Sequence, residues 1–225
     1  MGKRGSLREE KKGKKSMTKI IYIYSEGEAT EVHYFNAKWK DIRNPLYSVR
    51  VEGTGKNTIS LIEYVILQHP KDKRKYGDDE YRVVFDADPK TGSKDKGKRK
   101  ENFDNAIDKA LCDGIKVAYS HECFDLWYLL HFEDYNNTAG RKEYYEKLTG
   151  YFSKLDKSIK RYEDEKGNKK LYSLLSLGGS EEEAIKRAKK LESMHDKSEN
   201  SKYSAREPST KVFELIEHLN SLKSE

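Results

Sequence analysis

Four times between Lys19 and Phe132, a short apolar run gives way to a turn and then to a stretch of helical periodicity. That alternation restricts the fold more than any other feature of the chain. Strands fed one after another by helices form a mostly parallel sheet with helices packed on its faces. The apolar runs are KIIYIYS (19–25), LYSVRVE (46–52), YRVVFD (81–86) and IKVAYS (115–120). The first is apolar or aromatic almost throughout, as a strand covered on both faces should be. TEVHYFNAKWKDI follows it with Val32, Phe35 and Trp39 three and four residues apart on one helical side. ISLIEYVILQH places Ile59, Ile62, Val65 and Ile66 inward, residues 103–111 form a third helix, and HECFDLWYLLHF reads as a short, strongly apolar one.

The third strand carries the chemistry. It runs straight into Asp86-Ala87-Asp88-Pro89. Acids at positions i and i+2 share a face on an extended chain, and the C-terminal ends of parallel strands are where open α/β sheets put their ligand sites. An Asp-rich turn that merely ends a strand is the competing reading. Two further acidic groups fall at equivalent places: Glu26 (with Glu28 and Glu31 close by) after the first strand, and Asp125, beside Glu122, after the fourth. Carboxylates gathered along one rim repel one another unless a cation sits among them. Oxygen donors in that number favour Mg²⁺ or Mn²⁺, one ion or two.

Directly after these acids, PKTGSKDKGKRKE lacks periodicity and reads as a loop. Residues 90–101 hold six Lys/Arg against two acids, so Lys90, Lys94, Lys96, Lys98, Arg99 and Lys100 are candidates to grip a polyanionic backbone. The overall charge of +6 adds nothing to this, because residues 1–19 carry eight Lys/Arg and two Glu, leaving 37 of each sign elsewhere. Residues 1–18 are expected to be a disordered basic tail without the apolar core of a secretory signal. No apolar run approaches membrane-spanning length, and Cys112 and Cys123 suit a reducing compartment, so a cytoplasmic protein is expected.

Weaker signals point elsewhere. GTGKNT lacks the spacing of a P-loop, with Arg50 in the region of its first glycine and Asn57 after Lys56. His33 reads as a helix-surface residue and Cys123 as core. His131 reads equally as an active-site group or as a satisfied core histidine. Beyond residue 134 the chain turns helical with charged connectors; Ser180 and Glu183 have capping-box spacing, and Pro208-Ser209-Thr210 introduces a last helix. The expected organisation is a core over 19–133 and a helical extension over 134–225 packed against it.

YSEGEATE at 24–31, FDADP at 85–89, SHECFDLWYLLHF at 120–132 and EPSTKVFELIEHL near the end together resemble the RloB-like family, which is similar in turn to the Toprim fold of topoisomerases, primases and certain nucleases. The resemblance implies a Toprim-like α/β fold and a metal-dependent nuclease acting on DNA or on structured RNA such as tRNA. It implies that Glu26 is the Toprim glutamate, Asp86 and Asp88 the metal pair, and Glu31 a second-metal acid. Ser120, Asp125, Trp127 and His131 match a Ser…Phe-Glu-x-Trp…His-Phe segment, Ser120 and His131 as auxiliary residues. Where that family commonly has Glu, this chain has the shorter Asp125; where it has Asn-Pro, this chain has His121-Glu122. It further implies a setting in phage defence by abortive infection, and an AAA or SMC-like ATPase partner. A homo-oligomer is compatible with it. Two other functions compete: a nucleic-acid-binding or sensor module that does not turn over, and a structural partner of an ATPase.

Overall fold

The computed structural model describes residues 18–68, 79–87, 96–198 and 202–223. Within them, strands β1 (Lys19–Ser25), β2 (Tyr47–Gly53), β3 (Glu80–Asp86) and β4 (Lys116–Ser120) form one sheet in the order β2-β1-β3-β4. All three pairings are parallel. Each strand lies within one residue of its expected bounds at either end. The local reason is composition: β-branched and aromatic residues fit a pleated, covered surface.

Side chains alternate between the two faces. Ile21, Ile23, Val84 and Ala118 point into one cluster, where helix α1 (Thr30–Ile42) and the C-terminal half of the chain cover them. Tyr24, Tyr81, Val83, Phe85 and Tyr119 point into the other, under α2 (Thr58–Gln68) and α3 (Lys96–Cys112). The buried stripe of α1 is Glu31, Tyr34, Phe35, Lys38 and Ile42, which shares Phe35 with the expected side of Val32, Phe35 and Trp39. In α2 the fully buried residues are Leu61, Ile62 and Val65.

Helix α3 corrects one expectation. It begins at Lys96, so residues 96–101 are helical although their composition reads as loop. Lys, Arg and Glu are good helix formers, and Gly97 costs only about 1 kcal/mol in a helix that Phe103, Ala106, Ile107 and Ala110 anchor to the sheet. The loop reading extends to Lys90 and Lys94, which lie outside the described residues.

α4 (Asp125–Leu130) is buried at all six positions, as a helix apolar on every side must be. After it come α5 (Arg141–Leu155), a 3₁₀ turn (Tyr162–Glu165), α6 (Lys170–Gly178), α7 (Glu181–Lys197), a second 3₁₀ turn (Tyr203–Ala205) and α8 (Val212–Ser221). Ser180 caps α7 as its spacing indicates, accepting from the Glu183 amide at 3.2 Å. Tyr144, Leu148, Phe152, Leu175 and Leu219 join the same cluster as Ile21 and Val84. The last segment does more than start a helix. His121 N–H donates to Ser209 O (2.9 Å), Lys211 N–H donates to Tyr119 O (2.8 Å), and Ser120 and Thr210 form an antiparallel bridge along the edge of β4. Among the described residues, no helix is long and apolar enough to cross a membrane. The four-stranded parallel order with flanking helices is a Toprim-like α/β architecture.

Candidate functional site

The chain leaves β1 toward β2 on one side and returns to β3 on the other, so the strand order reverses between β1 and β3. A crevice opens at such a switch point, outside the strands' C-terminal ends. Glu26 is the first residue past β1, and its amide donates to Val84 O of β3 at 2.9 Å. Asp86 is the last residue of β3 and is paired with Ser120 at the end of β4. Backbone pairing therefore brings Glu26 and Asp86 to one rim, although sixty positions separate them.

Glu31 reaches this rim from the first turn of α1. Its carboxylate packs against Gly27, where any β-carbon would collide with it, and only 6% of the residue is exposed. Asp125 arrives from α4, also buried. Burial pushes the Asp86 carboxyl well above the usual range, and the charges of Glu31, Asp125 and Glu26 push it further. Glu31 is raised by burial and by Asp125, against its own backbone hydrogen bond. Asp86 Oδ1 is buried and has no hydrogen-bond partner among the described residues.

Not every acid is available in the same way. Tyr162 O–H donates to Asp125 Oδ1, and Lys166 Nζ donates to Asp125 Oδ2 at 2.7 Å. Lys166 also donates to the Tyr145 hydroxyl at 2.8 Å and lies over its ring. Burial alone would lower the Lys166 pKa, but contact with Asp125 raises it overall, so the ammonium persists. Its charge reaches Asp86 and Glu31 as well. Gly167, in the left-handed region at φ +78°, lets the chain turn immediately after this lysine, and its carbonyl lies 2.6 Å from His33 Nδ1 on α1. Nothing in the charged, aperiodic connector marks Lys166 or Tyr162 as part of the site; only the fold brings them to Asp125.

The other side of Asp86 faces a cleft of about 520 Å³. Glu26, Thr58, Asp86, Arg99, Lys100 and His121 line it. Thr58 Oγ1 donates to Glu26 Oε2 at 3.3 Å. Of the basic residues expected to grip a backbone, Arg99 and Lys100 face the cleft; Lys98 is exposed on the same turn of α3, while Lys90, Lys94 and the Lys96 side chain lie outside the described residues. So does Asp88.

The remaining expected residues have other partners. Ser120 is buried and shares a hydrogen bond with Thr210 Oγ1 at 2.8 Å, tying β4 to the last segment. His131 is buried away from the carboxylates: its Nδ1 is 2.9 Å from Trp127 O, its ring packs edge-on to Trp127, and burial lowers its pKa to about 4. It lines a separate hollow with Phe132, Tyr151 and Arg187. Glu122 accepts from the Arg141 amide at 2.9 Å at the start of α5.

The donor set suits a hard divalent cation: carboxylate oxygens, one of them buried and unpartnered, with neighbours whose mutual repulsion a cation would relieve. Among the described residues, no three His, Cys, Asp or Glu side chains already stand in metal-holding geometry. Residues 21–219 match the family model described as RloB-like protein, and the chain belongs to that family. No curated protein and no solved structure matches it.

Proposed function

We propose that this member of the RloB-like family is a Mg²⁺- or Mn²⁺-dependent nuclease that hydrolyses phosphodiester bonds in DNA or structured RNA. The observation that carries the reading is Asp86: a buried, unpartnered carboxylate oxygen among three other acids, at the switch point of the sheet and at the mouth of a cleft edged by Arg99 and Lys100. Glu26, Glu31 and Asp86 would hold the ion, with Asp88 following in sequence and Asp125 beside them. A bound ion of this kind polarises a phosphate and stabilises charge on attacking and leaving oxygens.

The chain's own residues supply the rest. Thr58 steadies the Glu26 carboxylate. Asp125 holds Lys166 as a fixed positive charge beside Asp86 and Glu31. Arg99 and Lys100 attract the polyanion. The family resemblance supports a setting in phage defence with an ATPase partner that restrains the nuclease. The ion pair between Lys166 and Asp125, which gives Asp125 a cation of its own, favours a second reading in which the site binds nucleic acid without turnover.

Cleavage of labelled DNA and tRNA in Mn²⁺ distinguishes the two. Asp86→Asn and Glu26→Gln should each slow cleavage at least about a thousand-fold, equivalent to several kcal/mol of lost charge stabilisation. Undiminished cleavage by either folded variant would overturn the assignment.

A further inference from the structure

The cleft has a wall that the carboxylates do not use. His121 is the first residue past β4 and is 2% exposed, with its ring between Phe103 (centroids 5.7 Å apart) and Tyr119 (5.5 Å). Its Nδ1 lies 3.2 Å from Ser209 Oγ, while its Nε2 is buried and has no hydrogen-bond partner among the described residues, although the residue lines the cleft. A buried polar atom left unpaired is unfavourable, and a ligand atom that accepts from it would remove that penalty. Burial keeps the ring neutral by lowering its pKa to about 3.

The N-terminus of α2 and residues Arg99 and Lys100 of α3 line the same cleft. Asn57 caps α2 through Oδ1, which accepts from the Ser60 amide at 3.2 Å. The Thr58 and Ile59 amides remain as first-turn donors without an intrahelical acceptor. The first turn of α3 carries no acid but does carry Lys98 and Arg99. Cations there oppose the helix dipole, and an anion held beside Arg99 would offset that penalty.

We infer that this wall is a phosphate subsite, holding an internal backbone phosphate of a polynucleotide next to the one addressed at Asp86. His121 Nε2–H, the first-turn amides of α2, Arg99 and Lys100 are its donors. The imidazole donates from Nε2 when the Ser209 hydroxyl donates to Nδ1. Which phosphate occupies the subsite rests on the nuclease reading; that an anion occupies it does not.

The test uses the full chain in EDTA, so that binding is read without metal. Imidazole ¹H–¹⁵N signals are followed during titration with a single-stranded 12-mer bearing a 5′-hydroxyl, the same 12-mer with a 5′-phosphate, and inorganic phosphate. The His121 Nε2 signal should move saturably with both oligonucleotides. His121→Phe, which keeps the ring and removes the donor, should weaken binding about 10-fold, as loss of a hydrogen bond to a charged group does, without changing its salt dependence. Arg99→Ala with Lys100→Ala should reduce the log–log salt slope by about 1.5. An unmoved His121 signal, absence of binding, or an unchanged salt slope would overturn the subsite. A shift confined to the 5′-phosphorylated oligonucleotide or to inorganic phosphate would overturn its assignment to an internal phosphate. Failure of the nuclease reading looks different: the His121 shift and the binding persist, but no substrate is cleaved in Mn²⁺.

Discussion

Strand β3 begins and ends on a carboxylate, and the two ends are treated in opposite ways. Glu80, at the start, lies 3.1 Å from His218 Nε2 and 2.8 Å from the Arg82 guanidinium, with Lys116 at 3.8 Å. The nearby His218 ring and the Arg82 guanidinium, which donates to Glu80 Oε2, hold its pKa down to about 2. Asp86, at the far end, is buried among Glu31, Asp125 and Glu26 and is driven upward. The two ends of one seven-residue strand thus carry a satisfied acid and a strained one. An unfavourable charge arrangement at the rim persists because packing elsewhere holds it, and such accumulation is characteristic of sites that await a ligand.

The sharpest way to break this contrast is at Asp86. If the proposed site holds Mg²⁺ or Mn²⁺, the wild-type Tm should rise with the ion, and Asp86→Asn should abolish both that rise and metal-dependent cleavage, the largest effect expected of any single change. A metal-induced rise that survives in the variant would place the ion elsewhere.

Next comes the cation inside the acid cluster. Lys166→Met leaves Asp125 buried without its counter-charge and should cost about 3 kcal/mol, near the lower end for a broken buried pair because Lys166 is partly exposed. For a chain of this length that lowers Tm by about 6–12 °C. Adding Asp125→Asn should restore much of the loss, and a double-mutant cycle by thermal denaturation measures the coupling.

Asp86→Asn should carry a smaller, opposite effect on stability. An acid whose folded pKa is raised contributes nothing unfavourable below its unfolded value near 4. It weakens the fold progressively as pH rises above that value and the buried carboxyl is forced to ionise. Without metal, the variant should therefore melt later than wild type at pH 8, by on the order of 1 kcal/mol, with the gap closing toward pH 4. A constant gap across that range would show that charge is not its cause.

Glu80→Gln completes the comparison with the reverse sign. A depressed carboxyl stabilises the fold above its unfolded value near 4.3, and that contribution disappears as pH falls through about 2. Solvent screening of this partly exposed group limits the loss to less than about 1 kcal/mol at pH 7. Melting curves of the two proteins should converge in acid.

The strands and the acids at their ends were legible in the sequence because both are local. KIIYIYS and YRVVFD declare themselves by residue type, and Glu26 and Asp86 follow directly from where those runs stop. The start of α3 was not legible: Gly97 and its lysines look like loop until Phe103 and Ile107 are seated on the sheet. Lys166 and Tyr162 carried no signal, since their connector has no periodicity and their partner Asp125 is about forty residues away. His121 did carry one. It follows β4 as Glu26 follows β1.

The sequence by itself determined the parallel α/β plan, the strand bounds and the identity of the rim acids, because periodicity and residue type act over a few neighbours. Tertiary structure alone decided how those acids are charged and which are compensated. Desolvation and Coulomb interactions depend on burial and on distances through space. Glu80 and Asp86 are the same kind of group on the same strand, and only the residues folded against each end pair one with the Arg82 guanidinium and crowd the other among carboxylates.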